Sequence, residues 1–294
     1  MTNHIVRVIA REAGLRGLAC VTTELVTEAA RRHAATPVAV AALGYGLTAA
    51  ALLGALLKVQ QRVAIKVHGD GPLGKLVTES DAYGRVRGYV TTPTLDWPLP
   101  IDRAAVAAAL GHNGLLTVVK DVRLPELAEG VAPLETGELD RDLMVYLTRS
   151  EQVPSYVEID VKLDKQGRLL AAGGLLLQAL PGHDAETLGH LVQATDDLPP
   201  IADMLAAGES PAAMLAALFG PLPYAVLDTT DLVFHCSCSR ARSEQALRLL
   251  DRNDLELLIA EGEAVVDCHF CHERYLFSPE DLARLLLELE GASD

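Results

Sequence analysis

The chain has 294 residues, half of them hydrophobic, and carries 40 Asp and Glu against 25 Lys and Arg, a formal net charge of −15. That length and apolar share support one large domain or two smaller ones, with a buried core and no need of disulfide staples. The acidic balance argues against DNA or RNA as the main partner, because nucleic-acid binding draws on clustered Lys and Arg.

Met1 to Gly17 contains His4, Arg7, Arg11, Glu12 and Arg16 and no apolar stretch of signal-peptide length, so a cytoplasmic, reducing location is expected. Cys20, in Leu18-Ala-Cys-Val21, reads as a small buried hydrophobe. Glu24 to Ala35 and Val38 to Lys58 read as helices, divided at Thr36-Pro37, where proline disfavours helix in the residue before it. Val38 to Leu57 has no charge and about the length that spans a bilayer. Its Ala and Gly content, with Leu47, Leu52, Leu53, Leu56 and Leu57 near helical spacing, predicts a buried core helix and no membrane association.

Beyond it the period changes. Val63, Ile65 and Val67 alternate as in a strand, and Gly69-Asp-Gly-Pro-Leu-Gly74 turns the chain. Leu76 to Thr78 and Val86 to Val90 flank Asp81-Ala-Tyr-Gly84 as a hairpin. Asp102 is placed to cap a helix from Arg103 to Leu110 that stops at Gly111. Leu115 to Val119 reads as strand, Asp140 to Ser150 as helix, and Val157 to Leu163 with Leu169 to Leu180 as a second hairpin around Asp164-Lys-Gln-Gly167. Strands grouped with flanking helices predict an α+β core domain over residues 1–181. Residues 182–228, rich in prolines and short amphipathic helices such as Pro211 to Phe219 behind the cap Ser210, read as a weakly held helical linker. A small module follows over residues 229–294, with helices expected at Ser243 to Leu250, Asp254 to Glu261 and Pro279 to Leu289.

Two motifs imitate nucleotide sites. Gly69 to Gly74 has the glycine spacing of a dinucleotide fingerprint, and Gly69 to Lys75 approaches a P-loop. Both lack the following helix, Pro72 removes an amide, and Leu76 stands where a hydroxyl would meet magnesium, so a tight turn is expected. The scattered histidines and carboxylates form no triad or acid–base pair, so no enzyme activity is expected.

The remaining signal is cysteine. Cys236-Ser-Cys238 and Cys268-His-Phe-Cys271 supply four soft ligands, the number that a closed tetrahedral zinc site uses. His235, His269 and His272 stand beside them and are read as neighbours rather than ligands. From Asp228 onward, fifteen Asp and Glu face six Arg, a balance of −9 that does not suit a nucleic-acid zinc ribbon. A module so poor in large apolar residues is expected to depend on one zinc ion for its fold, and oxidation of the ligating sulfurs would release both ion and stability. A constitutive zinc-ribbon interaction protein is the alternative. A thiol–disulfide oxidoreductase using Cys268 and Cys271 is weaker, because no thioredoxin-like βαβ setting surrounds the pair.

Blocks along nearly the whole chain resemble the redox-regulated heat-shock holdase chaperones of the 33 kDa class. They include Leu47-Thr-Ala-Ala-Ala-Leu-Leu-Gly54, Gly69 to Leu76, Asp81 to Val90, Ser150-Glu-Gln-Val-Pro-Ser155, Ala171 to Gln178, Cys236-Ser-Cys-Ser-Arg240 and Cys268-His-Phe-Cys271. One departure is Leu127-Ala128 ahead of Glu129-Gly130, where relatives usually carry Pro-Tyr before a glycine. The resemblance implies an ATP-independent holdase that is inactive while reduced and zinc-bound. It implies disulfides Cys236–Cys238 and Cys268–Cys271 under oxidative stress, zinc release, and unfolding of the module and then the linker. The product would be an active homodimer that holds unfolded client proteins and passes them to ATP-dependent refolding chaperones.

Overall fold

The structure is a computed structural model that describes residues 2–182 and 185–291; His183 and Asp294, near the ends of the expected linker and module, lie outside them. It divides into two compact units, residues 1–235 and 236–294.

The first unit begins with the antiparallel strands β1 (His4–Ala10) and β2 (Leu15–Val21), followed by the helices α1 (Thr23–His33) and α2 (Pro37–Gly54). Then come β3 (Arg62–His68), β4 (Lys75–Asp81), β5 (Arg85–Val90), α3 (Arg103–Leu110), β6 (Leu115–Asp121), β7 (Ala128–Pro133) and α4 (Leu139–Arg149). The hairpin β8 (Ser155–Leu163) and β9 (Leu169–Ala179) leads to three helices, α5 (Ala185–Thr195), α6 (Ile201–Ala206) and α7 (Pro211–Phe219). The unit closes with β10 (Ala225–Asp231) and the short β11 (Val233–Phe234).

Two sheets result, one in the order β10-β1-β2-β9-β8 and one in the order β11-β5-β4-β3-β6-β7. Helix α2 lies between them. Its side chains share one core with Ile5, Leu18 and Leu176 of the first sheet and Ile65, Leu76 and Val118 of the second. Glycines permit the approach: a Cβ on Gly44 would sit 2.8 Å from Val161, and one on Gly46 would sit 2.8 Å from Thr78. Helix α2 is the one described helix long and apolar enough to cross a membrane, and 94% of its apolar window is buried in this core, as expected of a core helix.

The other face of the first sheet is covered too. Val6, Val8, Leu15, Ala19, Leu175 and Leu177 pack beneath Leu191, Ile201, Met204, Leu205, Met214, Leu215, Leu218 and Phe219 of α5, α6 and α7. Two differences from the sequence reading follow, of which this burial on both faces explains the first. β1 and β2 carry no polar alternation that would mark them as strands. β10 returns, beyond the expected end of the sheet near Pro181, to pair with β1. Helix α2 also stops at Gly54, four residues before the expected Lys58.

The second unit holds α8 (Arg240–Leu247), α9 (Arg252–Glu261), the hairpin β12 (Ala264–Asp267) and β13 (Arg274–Phe277), and α10 (Pro279–Gly291). The hydroxyl of Ser239 and the carboxylate of Asp251 accept the orphan amides of Arg242 and Asp254, so α8 and α9 start two or three residues earlier than apolar periodicity suggests. Its hydrophobic core is small: among the described residues it gathers Leu247, Leu255, Ala264, Phe277, Leu282 and Leu285.

Candidate metal and redox centre

Cys236 and Cys238 follow β11 on an irregular stretch. The Arg242 guanidinium folds it back by donating to the Ser237 carbonyl at 3.0 Å and its hydroxyl at 2.7 Å. Cys268 and Cys271 occupy the loop between β12 and β13. There the Cys268 amide donates to the Glu273 carbonyl at 3.0 Å and the His272 amide to the Cys268 carbonyl at 2.8 Å. His272 takes a left-handed φ of 57° to close this turn.

The hairpin and the first knuckle bring all four sulfurs within 4.8 Å of one another. Cys236 and Cys268 lie 3.6 Å apart, and Cys238 and Cys271 3.3 Å apart. Four thiolates on one ion with metal–sulfur bonds of about 2.3 Å would be separated by ~3.8 Å, so the spacing fits a single shared centre. His235, His269 and His272 do not join this group of converging ligand atoms. His269 and His272 instead line a shallow cleft of about 240 Å³ with Asp267, Cys268 and Arg274.

The sulfurs of the second knuckle lie in a nest of amides. Phe270 and Cys271 N–H groups point at the Cys268 sulfur and the Glu273 N–H at that of Cys271. Burial nevertheless pushes both thiols above their ordinary range, outweighing the amides. A cation reverses this balance, because it stabilises the thiolates that burial disfavours. Across the centre, the Tyr275 hydroxyl on β13 donates to the Cys238 sulfur at 3.2 Å. The Arg240 guanidinium stacks 4.3 Å from the Phe277 ring centre and pairs with Asp281 at 2.5 Å, pinning the first knuckle to β13 and α10. The sequence assigns no role to Tyr275 and none to Arg240 beyond its place in the Cys236-Ser-Cys-Ser-Arg240 block, whose adjacency to the cysteines is the available signal.

Elsewhere, Cys20 is fully buried, and burial pushes its thiol up to about 12. The Gly69 to Gly74 turn is followed by β4, not a helix. Its amides are spent on α3: Gly71 N–H donates to Leu110 O at 3.0 Å and Leu73 N–H to Ala109 O at 2.9 Å. Helix α3 thereby has its last carbonyls satisfied, and the turn offers those amides to no phosphate.

The profile of the family described as "Hsp33 protein" matches residues 3–278. The chain belongs to the Hsp33 family. A 33 kDa chaperonin of Geobacter sulfurreducens is 44% identical over 286 residues, covering 97% of this chain and 95% of that protein. One from Bacillus cytotoxicus is 40% identical over 288 residues, covering 97% and 99%. The crystal structure of the 33 kDa chaperonin, or heat shock protein 33 homolog, of Thermotoga maritima superposes with a TM-score of 0.88 at 31% identity, covering 99% of both chains. The α+β Hsp33 fold is thus shared, and the chain is a member of a chaperone family.

Proposed function

We propose that this chain is a redox-regulated, ATP-independent holdase that binds unfolding proteins under oxidative stress. The convergence of four sulfurs within 4.8 Å, in a unit with a small core, carries the reading. Cys236, Cys238, Cys268 and Cys271 hold one zinc ion in the reduced protein; bound there, zinc supplies the cross-link and the charge compensation that the small core lacks. The residues form three functional parts: a chaperone core over 1–181, a metastable linker over 182–228 and a redox-switch module over 229–294.

Peroxide oxidises one thiolate of a pair to sulfenic acid, with cleavage of the O–O bond and release of hydroxide. The second thiolate then attacks that sulfur, the S–S bond forms, and a second hydroxide leaves. The resulting pairs are Cys236–Cys238 and Cys268–Cys271. In the reduced arrangement Cys236 contacts Cys268 and Cys238 contacts Cys271 across the two knuckles, so the shared centre opens as the within-knuckle pairs form. Disulfide sulfur is a poor ligand, and the module loses its fold with its metal.

The strands β10 and β11 run directly into Cys236. Loss of the module leaves this end of the chain unanchored and favours undocking of α5, α6 and α7. The sheet face beneath them, with Val6, Val8, Leu15, Leu175 and Leu177, is then free to bind unfolded clients and to support a homodimer. With no nucleotide site or catalytic constellation in the sequence, the protein acts in the cytoplasm by holding clients, which ATP-dependent chaperones later refold.

The test is suppression of aggregation of a heat-unfolded client by the reduced, zinc-loaded protein and by the same protein after warm peroxide, with zinc release followed in parallel. Activity gained with zinc loss is the expected result. Equal activity in both states overturns the switch, and zinc retained under oxidant favours a constitutive zinc-ribbon interaction protein.

A further inference from the structure

The four sulfurs do not share the same surroundings. The second knuckle supplies its own donors from the backbone, through the amides of Phe270, Cys271 and Glu273. Cys238, on the first knuckle, instead accepts a hydrogen bond from a side chain of the opposite hairpin, the Tyr275 hydroxyl at 3.2 Å. Tyr275 is held in place independently of the sulfur. It pairs with Val266 in the β12–β13 register and packs against the core of the second unit.

A hydroxyl donating to a thiolate draws electron density from the sulfur. It stabilises the anion that a metal needs and blunts the lone pair that attacks peroxide. The same bond ties the first knuckle to the second. Resting on the zinc-switch reading above, we propose that Tyr275 is a positioning residue that sets the oxidant threshold by restraining Cys238. The oxidation itself keeps the balance already given: the sulfur loses two electrons to peroxide, whose O–O bond breaks, and Tyr275 neither gains nor loses electrons.

The substitution Tyr275→Phe keeps the ring and removes the donor. The full-length protein is measured three ways: zinc affinity by chelator competition, the sulfur-to-metal charge-transfer band of the cobalt-substituted form, and peroxide modification of each cysteine by mass spectrometry. We expect zinc binding weakened by about tenfold, the charge-transfer band moved to lower energy, and Cys238 modified faster relative to Cys268. Incorporation of 3-fluorotyrosine at 275, which strengthens the donor without disturbing packing, should move the band and the Cys238 rate in the opposite direction. It serves equally if the Phe variant folds poorly. Unchanged band and rates in both variants overturn the role of Tyr275 while leaving the wild-type zinc switch intact. A wild-type protein that binds no zinc or cobalt overturns the underlying reading and this inference with it.

Discussion

If the docked helices hold the protein off, loosening them alone should turn it on. Phe219, at the end of α7, is fully buried over β2, with its ring against the backbone of Gly17. A Cβ placed on Gly17 would lie 2.5 Å from that ring, and Tyr224 packs on it at 5.9 Å between ring centres. Truncating such a ring costs about 3–5 kcal/mol. At 1.4 kcal/mol per tenfold, the midpoint raises the population with α7 undocked by about a thousandfold. Hydrogen exchange on the reduced, zinc-loaded Phe219→Ala protein should show lost protection in 185–219 and retained protection in 236–291. The same sample should suppress client aggregation without oxidant. Gly17→Ala attacks the contact from the other side by overpacking, at about 1–3 kcal/mol, and should give a milder version. Full loss of protection in 185–219 without client binding would refute the covered sheet face as the binding surface.

If the proposed zinc is bound, chelation of the reduced protein, or Cys238→Ser, should unfold residues 236–291, because structural zinc in such small modules supplies about 10–16 kcal/mol of apparent folding free energy. Circular dichroism should then show loss of the α8, α9 and α10 signal while β3 to β6 stay protected in exchange. Cys20 should resist iodoacetamide at pH 8 in the native chain under conditions where the chelated module's four thiols react, since burial holds it up to about 12. Glu158 on β8 is half-buried, and burial raises its carboxyl above the ordinary range despite the hydroxyl of Tyr156 at 3.0 Å. A carboxyl raised in the folded state favours folding only while protonated, so its stabilisation is present at low pH and lost as pH rises through its folded value. Glu158→Gln should therefore raise the melting temperature at pH 7, with the gain shrinking as pH approaches 4.

The parts that could be read from sequence are those that leave a local signature. Asp102 and Ser210 marked the starts of α3 and α7 because each carries an oxygen to the third amide of its helix. The paired cysteines announced, by residue type and spacing, the four sulfurs that the fold brings within 4.8 Å of one another. β1 and β2 left no such trace, since a strand covered on both faces loses its alternation. β7, at the sheet edge, mixes Glu129, Gly130 and Pro133 and does not resemble a strand. The bond from Tyr275 to Cys238 depends on the register of a hairpin of two four-residue strands and the return of a knuckle 37 residues away, which no local pattern encodes.

In the proposed switch, oxidation of the four cysteines releases both the module and the helices over the first sheet. Hydrogen-exchange mass spectrometry of the full chain, before and after warm peroxide with zinc release recorded in the same sample, tests it directly. Protection should collapse in 236–291 and in 185–219 as zinc leaves, while α2 and β2 remain protected. Zinc lost and the module opened, with 185–219 still protected, would contradict it.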